Sequence, residues 1–411
     1  LNEEAAVATV EDTELVDLVS AELGSDWPRL VAPAFDAQKA VLLDDRWASA
    51  REDLARIWIR SSEARGGVSG DTALSVENFI GAGSTVAAQA KWWATRATDE
   101  GRTALAEVYT RIADAAVTTE SDAPEWAGEV AVVTGASKGS IAAAVTGKLL
   151  AGGATVFVTT SRLDGQRLGF YRELYRENAR AGAALWVVPA NMASYTDVDA
   201  LIDWIGNEAT ENAGGAKKLI KPAMTPTMLF PFAAPRVGGE LSDAGARAEM
   251  EMRVLLWSVE RLIGGLSKIG YDSDVDTHLH VVLPGSPNRG TFGGDGAYGE
   301  AKASLIAVVN RWKAERNWAE RVTLAHAVIG WVRGTGLMGH NDPIVDAVEA
   351  AGVRTWSTQE MATQLLKTAT RESRRAAAEA PLEVDLTGGL SEANLDLGAL
   401  AKEAAEVAEI A

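Results

Sequence analysis

The chain has 411 residues, of which 47% are hydrophobic and 23% are charged, and its formal net charge is −18. The length suggests more than one folded unit, and the composition is that of a globular protein, not of a disordered chain or a membrane span. The acidic balance disfavours nucleic acid and anionic membrane surfaces as partners. There is no cysteine, and the four histidines show no metal-ligand spacing, so no disulfide and no metal site are expected.

The first residues carry no targeting signal that can be read from the sequence. No basic segment followed by an apolar one is present, so no secretory signal is expected and the predicted location is cytoplasmic. Because the sequence starts at Leu1 instead of methionine, we expect it to be one piece of a larger polypeptide.

Helical spacing of apolar residues dominates residues 1–120. It predicts a helix ending near Gly24, a second helix containing Trp47, Leu54 and Trp58, and a third over 84–116. No catalytic pair of titratable residues accompanies these helices. We therefore predict an all-helical structural segment over 1–120, which packs or self-associates, followed by a linker over 121–128.

From residue 129 to residue 390, predicted strands and helices alternate. This order favours an α/β domain: a Rossmann-like doubly wound parallel sheet with helices on both faces. A polar connection with solvated lysines is expected over 208–225, and a terminal helix or linker over 391–411.

The turn after the first predicted strand is rich in glycine. Its residues are Thr134, Gly135, Ser137, Lys138, Gly139, Ser140 and Ile141. Such a turn lets backbone N–H groups and a helix N-terminus approach a pyrophosphate. The turn alone is equally compatible with a purely structural role, and it is the Tyr/Lys helix described below that favours nucleotide binding.

The second predicted strand ends in Ser161 and Arg162, where an acidic residue is expected for an enzyme that binds a free ribose 2′-hydroxyl. A cation at this place favours a 2′-phosphate, and Ser161 adds a hydroxyl donor. NADPH is therefore the predicted cofactor. The alternative is that Arg162 is an ordinary solvated residue.

Three residues that can perform chemistry follow the strand predicted over 278–283. Ser286 lies at the strand end, and Tyr298 and Lys302 are one helical turn apart, so they share a face. An ammonium close to a tyrosine lowers the phenol pKa from about 10. Tyr298 is thus the predicted proton donor, Lys302 the group that lowers its pKa, and Ser286 a hydrogen-bond partner of a substrate carbonyl. His326 is expected to be a satisfied core histidine.

The serine, the glycine-rich loop and the Tyr/Lys helix arrive in the order of a short-chain dehydrogenase/reductase. The sequences SPNRGTFGGDG at 286–296 and IGWVRGTGLM at 329–338 resemble one branch, the ketoreductase domain of fungal and actinobacterial type I fatty acid synthases. The resemblance covers residues 128–390. It implies NADPH-dependent reduction of a 3-oxoacyl group, carried on an acyl carrier protein, to the 3-hydroxyacyl form.

The resemblance also implies further cofactor contacts. They are Asn191 and Met192 at the adenine, Ala233 and Ala234 where the cofactor passes, Tyr298 and Lys302 at the ribose, Lys138 near the 2′-phosphate, and Thr335 at the carboxamide. The sequence departs from the family pattern at several places, among them Ala142 for a glycine and Phe232, Ala233 and Ala234 for Asn-Ala-Gly. Ile141 stands where a third glycine is usual, and the helix predicted over 244–266 lacks the relay asparagine, with Ser258 as the nearest polar residue.

Implied partners are the acyl carrier protein, other domains of a synthase and further copies of the chain. Two other functions remain open at this point. One is a short-chain reductase that acts on a free small carbonyl compound, and the other is a non-catalytic NADPH-binding scaffold. Carrier dependence separates the first of these from the synthase activity, and a nicotinamide-oxidation assay separates the second.

Overall fold

The structure is a computed structural model that describes residues 13–44, 76–80, 84–117, 125–180, 182–271, 278–289, 293–336, 344–390 and 392–393. The predicted helix containing Trp47 and Trp58 and most of the predicted C-terminal segment lie outside these residues.

An eight-stranded sheet organises the described part of the chain. Ten strands are described, eight of them in this sheet: β1 (Val41–Leu43), β2 (Val130–Thr134), β3 (Thr155–Thr160), β4 (Ala184–Pro189), β5 (Ala209–Ala213), β6 (Ala216–Lys221), β7 (Met228–Pro231), β8 (Leu279–Gly285), β9 (Val322–Ile329) and β10 (Leu382–Leu386). The sheet order is β1-β4-β3-β2-β7-β8-β9-β10, while β5 and β6 form a separate hairpin. All neighbours in the large sheet are parallel except β1 and β4. The chain reverses its direction of winding beside β2, which confirms the predicted doubly wound sheet.

Helices lie on both faces of this sheet and beside it. They are α1 (Thr13–Leu23), α2 (Trp27–Leu30), α3 (Ser84–Asp99), α4 (Thr103–Val117), α5 (Ile141–Ala151), α6 (Gly165–Asn178), α7 (Tyr195–Gly206), α8 (Ala246–Met252), α9 (Ser258–Leu266), α10 (Tyr298–Ala314), α11 (Arg316–Ala319), α12 (Val345–Ala350), α13 (Thr358–Lys367) and α14 (Arg371–Glu379). Apolar residues of α5, α6 and α13 pack on one face, and those of α7, α9 and α10 pack on the other. The central strands read as nearly continuous apolar runs because side chains on both faces are buried.

The helices α3 and α4 form a hairpin with a small core of its own, which includes Phe79, Tyr109 and Ile112. The sequence predicted one helix over 84–116, but Gly101 separates the two helices in the left-handed conformation, with φ 70°. The prediction of helix in this stretch is confirmed, and the turn at Gly101 is an addition.

Strand β1 is a correction to the prediction that residues 1–120 are all helical. Val41 to Leu43 pair antiparallel with Leu185 to Val187 of β4 and so extend the sheet at its edge. Leu43 is buried in one core, and Leu42 packs against the other. Three residues carry too little periodicity to predict a strand, and only the exposed edge of β4 gives them a partner.

Asp197 at the start of α7 ties the residues before β1 to the sheet domain. This side chain is 1% exposed, and its Oδ2 accepts hydrogen bonds from the backbone N–H groups of Ala34 (2.7 Å), Phe35 (2.9 Å) and Asn191 (2.7 Å). Phe35 also meets Trp204 of α7, with ring centroids 6.5 Å apart. The segment around residues 30–43 therefore belongs to the packing of the sheet domain.

We expect Asp197→Ala to lower the free energy of unfolding by about 1–3 kcal/mol, because buried donors lose their charged acceptor. Urea unfolding followed by circular dichroism measures this change. Asp199→Ala is the matched control, since Asp199 lies on the same helix and forms an exposed pair with Arg261, worth about 0–1 kcal/mol. Equal effects of the two substitutions would contradict a special role for Asp197.

Two further local predictions are corrected by the fold. The expected polar connection over 208–225 contains the β5–β6 hairpin, and Lys221, expected to be solvated, is fully buried. Its Nζ donates to the carbonyl oxygens of Ile205 (3.0 Å) and Asn207 (2.9 Å), and burial lowers its pKa to about 8. Trp126, inside the predicted linker 121–128, is 4% exposed and packs in the sheet core.

Among the described helices, none combines the length and apolar character that a membrane crossing requires.

Candidate active site

The carboxyl ends of the parallel strands meet at one edge of the sheet, as they do in other doubly wound proteins. The glycine-rich turn follows β2, Ser161 and Arg162 follow β3, and Asn191 and Met192 follow β4. On the other side of the winding reversal, Ala233 follows β7, Ser286 follows β8, and Thr335 lies beyond β9. The topology thus brings the predicted site residues to a single edge.

The turn after β2 is shaped for a close backbone approach. Gly135 has φ 77°, and a Cβ at this position would lie 2.6 Å from the carbonyl oxygen of Phe232. The buried hydroxyl of Thr134 accepts a hydrogen bond from the N–H of Ala233 at 3.0 Å. The turn is therefore held against the end of β7, and a side chain at 135 does not fit.

The same turn leads into α5, whose first turn is capped by Ser140. The Oγ of Ser140 accepts from the N–H of Ala143 at 3.0 Å, while Ser137 and Lys138 are exposed. Gly139 also has φ 77°, and a Cβ there would lie 3.6 Å from the carbonyl oxygen of Gly334. The turn and the Thr335 segment consequently face each other, which sequence spacing alone does not show.

The end of β3 presents Arg162 to solvent. Its side chain is 76% exposed and its Nε lies 3.4 Å from Oδ2 of Asp164. The carbonyl oxygen of Arg162 accepts from the hydroxyl of Thr160 (2.9 Å) and from Nη1 of Arg167 (2.8 Å). The backbone at 162 is thus held independently of the Arg162 side chain.

Asn191 at the end of β4 has side-chain contacts that the sequence did not predict. Its Nδ2 donates to the carbonyl oxygens of Leu30 (2.8 Å) and Ala32 (3.0 Å). Because these acceptors use the amide donors of Asn191, an adenine contact by this side chain stays a prediction. Met192 beside it is 6% exposed.

Ser286, Tyr298 and Lys302 are brought together at the start of α10. Ser286 is close enough to Tyr298 to act on its pKa as a hydrogen-bonding partner, and Oγ of Ser286 accepts from the N–H of Asn288 at 3.1 Å. The Nζ of Lys302 lies 5.5 Å from the ring centroid of Tyr298 and donates to the carbonyl oxygen of Pro284 at 2.7 Å. The three side chains therefore form one cluster, with Lys302 anchored to β8.

The pKa of Tyr298 is raised above its usual value, which corrects the expectation that Lys302 lowers it. Burial is the main cause, the Ser286 hydrogen bond acts in the opposite direction, and the charge of Asp295 adds to the rise. Burial also lowers the pKa of Lys302 to about 7, so its positive charge is only partly present near neutrality. Tyr298 consequently keeps its proton at neutral pH, as a proton donor must.

Two residues that the sequence analysis considered differ in the structure from what was expected. Ser258, the nearest polar residue to the missing relay asparagine, is buried and donates to the carbonyl oxygen of Val254 at 2.8 Å. His326 is 4% exposed, and its Nε2 has no hydrogen-bond partner among the described residues, so it is not the satisfied core histidine that was expected.

The sequence analysis assigned no role to Asn288, Asp295 and Glu251, which lie next to the cluster of Ser286, Tyr298 and Lys302 or contact its neighbours in the chain. The Nδ2 of Asn288 donates to Oδ2 of Asp295 at 2.8 Å. Glu251 of α8 accepts from the N–H of Ala297 at 2.7 Å. Asn288 and Asp295 lie in the loop that carries the resemblance, whereas Glu251 looks like any acidic residue of an exposed helix.

No group of histidine, aspartate or glutamate residues in the described part of the chain is arranged to hold a metal ion.

The class of protein follows from three features: the sheet order, the glycine-rich turn after β2, and the cluster of Ser286, Tyr298 and Lys302. Together they define a Rossmann-type fold of the short-chain dehydrogenase/reductase kind. A solved structure, the Pseudomonas aeruginosa RhlG/NADP active-site complex, matches with a TM-score of 0.50 and 21% identity, over 65% of this chain and 99% of that chain. A likeness at this level of identity supports the fold alone.

Sequence comparison identifies closer relatives. The fatty acid synthase subunit alpha of Saccharomyces cerevisiae is 41% identical over 284 residues, which are 68% of this chain and 15% of that subunit. The corresponding subunit of Schizosaccharomyces pombe is 41% identical over 262 residues, which are 63% of this chain and 14% of that subunit. No family model matches the chain. The predicted resemblance to fungal fatty acid synthases is therefore confirmed, and the chain spans about one seventh of the length of these relatives.

Proposed function

We propose that the chain is the ketoreductase part of a fatty acid synthase and reduces a 3-oxoacyl group, carried on an acyl carrier protein, to the 3-hydroxyacyl form. The observation that supports this most is the cluster of Ser286, Tyr298 and Lys302 at the same edge of the sheet as the glycine-rich turn, in a chain similar to fatty acid synthase alpha subunits. The similarity to these subunits favours the carrier-bound substrate over a free carbonyl compound.

The residues at the sheet edge fit NADPH as the cofactor. Gly135 leaves no room for a Cβ, so its backbone stays close to the end of β7, and the N-terminus of α5 faces the same edge. Arg162 and Ser161 are exposed where a 2′-phosphate is expected, and Lys138 is exposed in the turn. We propose that the turn holds the pyrophosphate and that Thr335 contacts the carboxamide. When bound, NADPH supplies the hydride.

Each catalytic side chain has a separate task in the proposed reaction. Ser286 donates a hydrogen bond to the substrate carbonyl oxygen and orients it next to Tyr298. Tyr298 gives its proton to the oxygen as negative charge develops there. Lys302, when protonated, stabilises the phenolate that remains and binds ribose hydroxyl groups. Its hydrogen bond to Pro284 fixes the position of Nζ relative to β8.

The division of the chain and its partners are also proposals. We propose that residues 129–390, together with strand β1 and Trp126, which pack in the same sheet and core, form the catalytic unit, that the rest of 1–120 supplies structural contacts, and that 391–411 connects the unit to its surroundings. Other domains of a synthase, the carrier protein and further copies of the chain are the proposed partners. The similarity to synthase subunits that are several times longer supports this assignment.

NADPH oxidation with a 3-oxoacyl thioester on purified acyl carrier protein tests the proposal directly. We expect turnover with the carrier-bound substrate and a lower kcat/KM with a small free ketone. Equal kcat/KM values for the two substrates would favour a general short-chain reductase. NADPH binding without turnover on either substrate would favour the non-catalytic scaffold.

The pKa of Lys302 predicts how the rate depends on pH. The kcat/KM for NADPH reports ionisations of the free enzyme, in which the Lys302 pKa is lowered to about 7 by burial. The ammonium is present below this pH and is lost above it, so kcat/KM should fall as the pH rises through about 7. A pH–rate profile of steady-state kcat/KM measures this effect.

Two variants test the assignment of this ionisation. In Lys302→Arg the side chain at 302 stays charged at all accessible pH values. The fall of kcat/KM with rising pH should therefore disappear, even if kcat/KM itself is lower. Lys313→Met, an exposed position on the same helix, should leave the profile unchanged. A fall that persists in Lys302→Arg would assign the ionisation to another group.

A further inference from the structure

Glu251 is a fully buried carboxylate that the reaction proposed above does not use. It lies on α8, and its side chain is 0% exposed. Its Oε2 accepts the N–H of Ala297, the residue directly before the catalytic Tyr298. Its Oε1 makes no hydrogen bond among the described residues, and the Nε of Arg247 lies 3.6 Å away. A buried carboxylate is costly unless it is hydrogen-bonded or paired with a cation, and the Ala297 N–H and Arg247 are the partners of Glu251.

The loop that Glu251 contacts is joined to a second loop by backbone hydrogen bonds. The N–H of Gly239 donates to the carbonyl oxygen of Gly294 at 3.2 Å, and the N–H of Gly296 donates to that of Gly239 at 3.0 Å. Gly239 follows β7 and Gly294 precedes α10, so these bonds join the loops on the two sides of the catalytic cluster. Glu251 lies where the two loops meet.

Gly296 shows how closely Glu251 approaches the loop. A Cβ on Gly296 would lie 2.5 Å from Oε2 of Glu251 and 3.0 Å from the carbonyl oxygen of Gly238. Gly296 also has φ 61°, a conformation that favours glycine. The absence of a side chain at 296 is therefore what allows the carboxylate to reach the N–H of Ala297.

The first turn of α10 connects this contact to the chemistry. The N–H of Tyr298 donates to the carbonyl oxygen of Asp295 at 3.2 Å, and Asp295 accepts from Asn288, whose own N–H donates to Ser286. The place of Tyr298 relative to Ser286 thus depends on the geometry of residues 295–297. A displacement of about 1 Å at a reacting group can reduce the rate about a hundredfold.

We infer that Glu251 is a positioning residue, which fixes the start of α10 through the Ala297 N–H and so holds the Tyr298 hydroxyl at Ser286. Burial raises the pKa of Glu251, while the Ala297 N–H and Arg247 act in the opposite direction. The carboxyl group is a hydrogen-bond acceptor whether or not it is protonated. The positioning role therefore depends on the acceptor and on the side-chain length, not on the charge.

This inference rests on the proposed reductase activity, and three substitutions test it. Glu251→Ala removes the acceptor, and Glu251→Asp withdraws it by one methylene group. Both should lower kcat by about 10- to 100-fold and leave the dissociation constant of NADPH within about threefold. Glu251→Gln keeps an acceptor of the same length, so kcat should stay within about threefold of the wild type. Glu249→Gln, on the same helix and paired with Arg253, is the matched control and should leave kcat unchanged.

Hydrogen–deuterium exchange gives a readout that does not depend on activity. Glu251→Ala and Glu251→Asp should speed exchange in a peptide that covers residues 293–300, because the Ala297 N–H loses its acceptor, whereas Glu251→Gln should not. One outcome is that exchange in the three variants compares with that of the wild type as expected, while the wild type reduces no 3-oxoacyl thioester. In that case the proposed function fails and the structural part of the inference stands.

Two results would overturn the inference. One is a wild-type kcat in Glu251→Asp together with unchanged exchange. The other is a Glu251→Gln variant as impaired as Glu251→Ala, which would show that charge matters and position does not. If Glu251→Ala does not fold, the Asp and Gln variants still decide the question. Gly296→Ala, which places a methyl group against Oε2, should lower kcat in the same way.

Discussion

Replacement of Tyr298 by phenylalanine is expected to reduce kcat for 3-oxoacyl reduction by about 10²- to 10⁴-fold, the usual contribution of a general acid. The substitution removes only the hydroxyl group of Tyr298, on which Ser286 acts as a hydrogen-bonding partner. Because the ring remains beside Lys302, with the ammonium 5.5 Å from its centroid in the wild type, the dissociation constant of NADPH should change by less than about threefold. Binding and chemistry are therefore expected to separate.

Steady-state kinetics and a fluorescence titration with NADPH measure these two quantities. Tyr271→Phe is the matched control: Tyr271 is 39% exposed and lies under Arg321, away from the strand ends. Retained turnover in Tyr298→Phe at nearly the wild-type rate would show that another group supplies the proton. A parallel loss of NADPH binding would show instead that Tyr298 supports the cofactor site.

Arg162→Ala is expected to reduce the preference for NADPH over NADH by about 10- to 100-fold. A hydrogen bond to a charged group contributes about 1.5–3 kcal/mol, which corresponds to this range. The side chain is 76% exposed and pairs only loosely with Asp164, so it is available to a 2′-phosphate. The backbone of Arg162 is held by Thr160 and Arg167, and the substitution should therefore leave the fold intact.

Values of kcat/KM for both cofactors, on the wild type and on the variant, test this prediction. Arg29→Ala is a suitable control because Arg29 is equally exposed, at 76%, and pairs with Asp26 at 3.5 Å. It should change neither value. An equal fall of kcat/KM for NADPH and NADH in Arg162→Ala would mean that Arg162 supports the structure and does not recognise the phosphate.

Most of the sheet domain follows from local patterns in the sequence. Apolar runs such as Val130–Thr134 and Thr155–Thr160 alternate with helical stretches, and this alternation leads to a parallel sheet because crossover helices are needed to join parallel strands. Ser286, Tyr298 and Lys302 could be chosen together because a strand end and one helical turn determine which side chains meet. Their distances are short in sequence, so local geometry is enough.

Other features depend on contacts between distant parts of the chain. Strand β1 forms only because β4 offers an edge, and Asp197 binds N–H groups 162 and 163 residues away. Glu251 reaches the N–H of Ala297 across 46 residues. Helical periodicity places Glu251 among exposed acidic residues, and only the packing of α8 beneath the two loops shows that it is buried.

The sequence by itself predicted the alternation of strands and helices in the sheet domain, the glycine-rich turn and the three candidate catalytic side chains, since each of these is encoded in residues close together along the chain. The pKa values of Tyr298 and Lys302 depend on the tertiary structure. Lys302 was expected to lower the pKa of Tyr298, but burial raises the tyrosine pKa and lowers that of the lysine to about 7. The cost of removing a charge from water depends on everything packed around it, and the sequence spacing of two residues does not contain that information.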